Sequence, residues 1–466
     1  QRRIYLRRYF EYEHRLAQAL AARASRAAAI DADTANSASG LDPEQRHAID
    51  IASSRRFTLV TGGPGSGKTH SVLRMLAALA TRAHARGKTL RIALAAPTGK
   101  AAARLGESLR AQIGKLDLAE TIAAQIPRDA GTVHSLLGVS PWRVQPRFDH
   151  TTPLPYDVVV VDEVSMVDLP LMAKLVDAVP ASARLILLGD PDQLSAVEAG
   201  NVLGALVEAA TDGPLRDCHV ALTRSHRFGT DSAIGALAAA IARGDIDAAT
   251  RALGGAGEVL LAGDARATQL IDAATNAYQP VLAAESPAAA LHAARGFRVL
   301  TALRHGPSGC LALDRAIAER LQRTTGARGD NTWRGRLVLV TANRPELGLF
   351  NGDTGVLWPD ADGSAKAWFE GSDAAPRALP ATALPPHEGA FALTVHKAQG
   401  SEFERIALVT DPDSAVLTRE LLYTGVTRAR SGITLYSTPE TLQHGIMHRT
   451  LRMTGLADRL REAAGT

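Results

Sequence analysis

Short apolar runs recur through the first half of the chain, each closed by a polar or glycine-containing turn and followed by residues at helical spacing. Residues 57–60 (FTLV), 91–96 (RIALAA), 158–161 (VVVV) and 185–188 (LILL) are such runs. Apolarity at consecutive positions, rather than at alternate ones, marks strands covered on both faces. With helices between them, these runs predict a buried parallel sheet whose functional loops lie at the strand ends. Residues 4–29 are spaced as a helix, and the Ser-, Gly- and Asp-rich stretch 31–42 reads as a linker. Residues 139–156 contain four prolines and no helical period, and read as an excursion from this first α/β domain. A second block starts near Leu215, with an Ala-rich helical part at 233–253 and apolar runs at 297–301 and 406–409. Within it, closely spaced turns between 336 and 386, such as Asn351-Gly352-Asp353, predict a small β-rich insertion.

Composition narrows the class. A chain of 466 residues exceeds one ordinary core, so roughly two to four domains are expected. Hydrophobic residues at 46% and charged residues at 21% describe a globular protein. A net charge of +4 permits a nucleic-acid partner without demanding one. Aromatics at 4% are too few to spread base stacking over a large surface. There is no run of about 18 apolar residues, so no membrane span is expected. Cys218 and Cys310 stand outside any Cys/His cluster and read as ordinary thiols in a reducing cytoplasm. The opening QRRIYLRRYFEYEHR is unlike a signal peptide and lacks an initiator Met, so the chain is expected to be a truncated or processed piece.

The residues that carry chemistry begin at Gly62-Gly63-Pro64-Gly65-Ser66-Gly67-Lys68-Thr69, which fits G-x-x-x-x-G-K-[ST] between an apolar run and a helical stretch. Glycines there let backbone N–H groups wrap the phosphates of ATP, Lys68 would neutralise charge on the β- and γ-phosphates, and Thr69 would ligate Mg²⁺. His70 extends the same nucleotide-binding segment. Asp162 and Glu163 close the valine run; Asp162 would hold Mg²⁺, and Glu163 would orient and deprotonate the attacking water. Alone, two acids at a strand end also describe solvated charges; after a phosphate loop they read as its partner. Gln193 follows Asp190-Pro191-Asp192, a type I turn sequence whether or not Gln193 faces nucleotide. Two segments offer an arginine to spread developing charge, 222–228 (LTRSHRF) and 423–430 (YTGVTRAR). Both fall in the second block, from which they would reach across a domain cleft, and spacing alone does not select either.

In chain order, GGPGSGKT, APTGKAAARL, TVHSLLG, VVDEVSM, LGDPDQL, LTRSHRF, LTVHKAQGSEFE and YTGVTRAR resemble the superfamily-1 helicases, and specifically the RecD group, the α subunit of exodeoxyribonuclease V (RecBCD). The resemblance runs over residues 4–435, and VHKAQGSEF with YTGVTRAR is its most specific part. It implies that Gln45 reads adenine, that Arg227 and Arg428 are the two arginine fingers with Arg224 a weaker choice, and that Gly400 and Glu402 contact the nucleotide. It implies strand contacts by Thr98, Lys100, Thr132 and His134 in the first domain and by Thr394, His396 and Lys397 in the second. Thr98 and Thr132 equally suit helix N-caps, and His396 a core position. Trp142 and Phe148 would either stack on a base or anchor their loop to the core.

The fold implied is α/β: two RecA-like P-loop NTPase domains with a 1B excursion and an SH3-like β insertion, 2B. The expected boundaries are an N-terminal helical remnant and linker at 1–40, domain 1A at 41–214 with the excursion at 139–156, domain 2A at 215–335 and 389–466, and domain 2B at 336–388. The function implied is an ATP- and Mg²⁺-dependent 5′-to-3′ DNA helicase. It would act on single strands and duplex ends with RecB and RecC subunits in the bacterial cytoplasm, nuclease activity residing in a partner. A stand-alone RecD-like or Pif1-like helicase, and a non-catalytic DNA-binding scaffold, are the alternatives. Intact Lys68, Glu163, Gln193 and Arg428 speak against the scaffold.

Overall fold

The computed structural model describes the chain except for residues 1–3, 26–40, 117, 141, 142, 144, 197–199, 230, 231, 254–256, 264–266, 327–331, 361, 372–374, 413, 451 and 466. Residues 31–40 of the expected linker, and Trp142, therefore lie outside the described residues. The described chain forms two compact units, one of residues 1–227 and 451–466, the other of residues 228–450.

The first unit opens with helices α1 (Arg7–Ala24) and α2 (Pro43–Ser54), followed by strand β1 (Phe57–Gly62), α3 (Lys68–Ala85), β2 (Ile92–Ala96) and α4 (Gly99–Ile113). Strands β3 (Gly131–Thr132), β4 (Val158–Val161), β5 (Arg184–Gly189) and β6 (His219–Leu222) complete a six-stranded sheet in the order β3-β2-β4-β5-β1-β6, parallel throughout. The valine run shows why it is apolar at every position. Val158 and Val160 pack with α2, α3 and α4 on one face, while Val159 and Val161 pack with α1 and the helices Leu169–Ala178 and Val202–Asp212 on the other. All four valines are fully buried.

This division differs from the expected boundary at 214/215. Residues 219–222 pair with β1, Leu59 to His219 through Gly62 to Leu222, and so belong to the first sheet. The expected N-terminal remnant and the C-terminal residues also belong here. Leu16 and Leu20 of α1 lie in the same core as Leu456 and Leu460 of the C-terminal helix, Leu456–Gly465. Buried Glu13 joins the two by accepting from the Thr454 hydroxyl at 2.8 Å and the Gly455 N–H at 2.9 Å, with Arg459 at 3.4 Å.

The second unit carries a parallel sheet in the order β14-β8-β15-β16-β7, formed by β7 (Val259–Leu261), β8 (Phe297–Thr301), β14 (Ala392–Thr394), β15 (Phe403–Val409) and β16 (Ala429–Tyr436). The expected β-rich insertion is an antiparallel sheet, β12-β11-β10-β9-β13, made by β9 (Leu337–Val340), β10 (Thr354–Pro359), β11 (Ala365–Phe369), β12 (Arg377–Pro380) and β13 (His387–Gly389). It has its own small core of Val338, Val340, Leu349, Leu357, Ala367 and Phe369. A buried ion pair ties it to the parallel sheet: Asp314 accepts from Arg336 at 2.8 Å and from the Phe391 N–H at 2.8 Å.

Candidate active site

The carboxyl ends of β1, β4 and β5 hold the first unit's chemistry. Between Gly62 and Lys68 the chain turns on Gly65 (φ 76°) and Gly67 (φ 83°), backbone conformations that side chains rarely adopt. Space is limiting as well: a Cβ on Gly65 would lie 2.2 Å from Arg227 Cβ, and one on Gly62 would lie 2.6 Å from Ser66 Oγ. Lys68 Nζ donates to the Gly62 carbonyl at 2.5 Å and to the Gly63 carbonyl at 3.1 Å. The buried Ser66 hydroxyl has no protein partner. Thr69 lies in the first turn of α3, and His70 Nδ1 is 3.2 Å from Gln112 Oε1 on α4.

Past β4, Glu163 is the sole non-glycine residue with positive φ among the described residues (φ 54°, ψ 41°). Such a conformation costs about 1 kcal/mol or more and persists where surroundings impose it. Here the Glu163 N–H donates to Asp162 Oδ1 at 2.8 Å. Burial, and then the charge of Glu163, push the Asp162 carboxyl up to about 6, against the pull of Lys68. Past β5, Gln193 is buried in the Asp190 turn, its Nε2 donating to Asp190 Oδ2 at 3.0 Å.

Segment 223–227 is placed differently from its expectation. It continues from β6 and runs over the phosphate loop within the first unit. Thr223 donates its N–H and hydroxyl to Glu44 at 2.8 and 2.6 Å; Arg224 and His226 lie 3.1 Å from the two oxygens of Asp42. Ser225 Oγ donates to the Pro64 carbonyl at 3.2 Å, and the His226 N–H to the Gly65 carbonyl at 2.7 Å. Arg227 is thereby set against Gly65, whereas Arg224 is turned to Asp42. Asp42, Glu44, Ser225 and His226 escaped the sequence reading, although Asp42-Pro43-Glu44-Gln45 carries a readable capping pattern. Gln45 closes that box by accepting from the Asp42 N–H at 3.4 Å, and its Nε2 lies 2.7 Å from where a Gly67 Cβ would stand.

The expected strand-contact threonines of this unit are both N-caps. Thr98 Oγ1 accepts from the Ala101 N–H at 3.2 Å, and Thr132 Oγ1 from the Ser135 N–H at 3.0 Å. They close neighbouring strands, β2 and β3, with Lys100 in the first turn of α4 and His134 exposed. Phe148 is half-buried against the first unit's core, which anchors its loop.

Gly400, Glu402, Arg428, Thr394, His396 and Lys397 lie in the second unit. Arg428 is 3% exposed; it donates to the carbonyls of Thr424 at 3.0 Å and Ser401 at 3.3 Å, and to Thr427 Oγ1 at 3.2 Å. Gly400 turns with φ 71°, and Glu402 pairs with Arg430 at 3.0 Å. The Thr394 hydroxyl accepts from the Lys397 N–H at 3.3 Å.

The raised Asp162 carboxyl makes a stability prediction. The folded protein holds this proton more tightly than the unfolded chain, so the group's contribution to stability is present below about pH 4 and lost as pH rises to about 6. Asp162→Asn, without Mg²⁺, is therefore expected to raise Tm by about 2–4 °C at pH 7.5, with the gain vanishing near pH 4. Thermal melts across pH test this; a lowered Tm at pH 7.5, or a gain independent of pH, would refute it.

A family model described as an AAA domain matches residues 40–264, and one described as a UvrD-like helicase C-terminal domain matches residues 389–436. The chain is 42% identical over 431 residues to the RecBCD enzyme subunit RecD of Mycolicibacterium smegmatis, covering 90% of this chain and 75% of that subunit. It is 34% identical to the RecBCD enzyme subunit RecD of Haemophilus influenzae, covering 90% and 72%. It is 32% identical to the ATP-dependent RecD2 DNA helicase of Deinococcus radiodurans, covering 91% and 53%. Identity and coverage of this extent, on a chain whose first sheet carries the phosphate loop and acid pair, show that it belongs to the RecD family of DNA helicases.

Proposed function

We propose that the chain is the ATP-driven, 5′-to-3′ motor subunit of a RecBCD-type enzyme. It acts with RecB and RecC subunits on DNA ends during recombinational repair of double-strand breaks in the bacterial cytoplasm. The observation that carries this reading is the phosphate loop, the acid pair and Gln193 at the carboxyl ends of three strands of one sheet, with Arg227 against Gly65. The subunit reading is favoured over the stand-alone one because the chain is 42% identical to the M. smegmatis subunit over 431 residues but 32% identical to the RecD2 helicase over 428. No described helix is long and apolar enough to cross a membrane.

The residues fit ATP and Mg²⁺. Gly62, Gly65 and Gly67 let the chain turn where a Cβ would meet Ser66, Arg227 or Gln45, a glycine-rich backbone of the kind that wraps phosphates, and the partnerless Ser66 hydroxyl adds a polar group to the same loop. Thr69 and Asp162 are hard oxygen donors of the kind Mg²⁺ takes beside water and phosphate. In this reading Gln45 faces the adenine, residues 62–70 hold the phosphates, and Gly400 and Glu402 complete the nucleotide contacts. Bound Mg²⁺ supplies positive charge to the β- and γ-phosphate oxygens. Glu163 takes the proton of the attacking water, Gln193 positions that water or the γ-phosphate, and Arg227 and Arg428 spread the charge of the transferring group. Thr98, Lys100, Thr132, His134, Thr394, His396 and Lys397 grip the strand backbone, with hydroxyls, N–H groups and cations that hold phosphates without reading sequence. The antiparallel sheet of 337–389 serves as the SH3-like 2B domain that helps hold the strand, and residues 139–156 as the 1B excursion.

The test is strand displacement on 5′- and 3′-tailed duplexes with ATP and Mg²⁺, with and without RecB and RecC subunits, alongside ATPase rates. Single-stranded DNA is expected to raise the ATPase rate severalfold, less so as salt rises, and 5′-tailed duplexes are expected to be displaced. An ATPase indifferent to DNA would end the motor reading, and displacement confined to 3′ tails would reverse the polarity.

A further inference from the structure

In the second unit, β8 and β14 are neighbours, Thr301 pairing with Thr394, so the loops that leave their carboxyl ends lie side by side. The first loop carries Arg304 and the second Lys397. Glu388, on β13 of the antiparallel sheet, takes both: Oε1 accepts from Lys397 Nζ, and Oε2 lies 3.4 Å from Arg304 Nη2. The Glu388 side chain is 13% exposed, and those of Lys397 and Arg304 are 25% and 52% exposed.

The backbone that delivers Glu388 is fixed. At the next residue, Gly389, a Cβ would lie 1.8 Å from Asp314 Oδ2 and 2.4 Å from Arg336 Nη2, the buried ion pair that joins the two sheets. The Arg304 loop is held as well, by Ser308 Oγ donating to Asp411 at 2.7 Å. Two cations from adjacent loops thus converge on the two oxygens of one anion.

That is the donor arrangement a phosphodiester takes. Building on the proposed grip of a strand by this unit, we infer that Arg304 and Lys397 form one phosphate site for single-stranded DNA, and that Glu388 occupies it in competition with the strand. The Glu388 carboxylate stands where phosphate oxygens would bind. A strand that engages here must first displace it and then lie beside an unpaired acid. The site therefore grips the backbone weakly enough to release it, which a motor needs in every cycle.

The experiment uses the full chain, a labelled single-stranded oligonucleotide and anisotropy titrations between about 50 and 200 mM salt. Glu388→Gln, with its fold checked by thermal melting, is expected to bind about three- to tenfold tighter at the low end. Its log K against log salt is expected to be steeper by up to about 0.7, the increment for one further phosphate on a single strand. Adding Arg304→Ala is expected to remove about half of that increment. Should Glu388→Gln fail to fold, Arg304→Ala in the unaltered chain remains informative, because that side chain is half exposed. It is expected to weaken binding about threefold and to flatten the slope. Folded Glu388→Gln with unchanged or weaker binding overturns the competition, as does an unaffected Arg304→Ala. An unaltered chain that binds no single strand at any salt overturns the DNA reading itself, an outcome separable from the first two.

Discussion

Lys68→Gln is expected to lower kcat for ATP hydrolysis by at least about 10²- to 10³-fold, the scale on which single charge-stabilising donors act in transfer reactions. Lys68 opens α3 directly after the left-handed Gly67, so its position is fixed by the loop rather than by side-chain packing. Its ammonium is held by the Gly62 and Gly63 carbonyls at the phosphate loop's own start. Gln retains an amide donor for those carbonyls but no charge, so the fold is expected to survive with Tm within about 2 °C of the unaltered chain. Turnover within tenfold of normal would sink the assignment of Lys68.

The same substitution reaches Asp162. Lys68 pulls the Asp162 carboxyl down, against the upward push of burial and Glu163. Its removal moves Asp162 ionisation further up, so a larger fraction is protonated near neutrality and fewer molecules present the charged carboxylate proposed to hold Mg²⁺. At subsaturating Mg²⁺, where protons compete with the metal for Asp162, the residual activity of Lys68→Gln is therefore expected to shift to more alkaline pH, and Lys68→Arg, which keeps the charge, is expected to restore the profile more fully than the rate. Pre-steady-state hydrolysis across pH 5.5–8.5 reads both effects, since about one unit either side of a titration captures its curve.

Legibility from sequence followed physical range. The phosphate loop, the acid pair and the apolar runs are contiguous, and each is constrained by chemistry acting within a few residues: phosphate wrapping, strand-end acids, burial on two faces. Residues 219–222 were not legible as part of the first sheet. Their side chains alternate in burial, and their place is set by pairing with β1, more than 150 residues away. Misplacing that strand also misplaced Arg224 and Arg227, which follow it. The C-terminal helix escaped for the same reason, since it is bound by Glu13 at the far end of the chain. Thr98 and Thr132 show a different limit. One hydroxyl satisfies both a helix cap and the residue preference of a phosphate contact, and only geometry reveals the cap. For Arg428 the motif suggests a charge-spreading side chain, and nothing local signals that its guanidinium is a buried structural tie.

That tie alters what Arg428→Ala should do. Arg428 bridges the end of the helix Arg419–Val426, at the Thr424 carbonyl, to the loop that carries Gly400 and Glu402, at the Ser401 carbonyl. Truncation leaves buried carbonyls short of a charged donor, which costs about 1–3 kcal/mol and lowers Tm by roughly 3–10 °C. Hydrolysis is expected to fall further than this loss of stability explains, by about 10³-fold or more, the scale of an arginine finger. Assays should therefore run well below the lowered Tm, with ATP affinity measured separately by a fluorescent nucleotide. Binding is expected to stay within several-fold of normal, because a finger acts on charge that develops in the transition state. Arg428→Lys separates the two roles. Lys keeps the charge but not the planar fork that spans Thr424 and Ser401, so it is expected to recover neither the full Tm nor more than a small part of the rate. A folded Arg428→Ala that hydrolyses ATP within tenfold of the unaltered chain would leave Arg428 a structural residue alone. One that folds but no longer binds ATP would make it a ground-state contact instead.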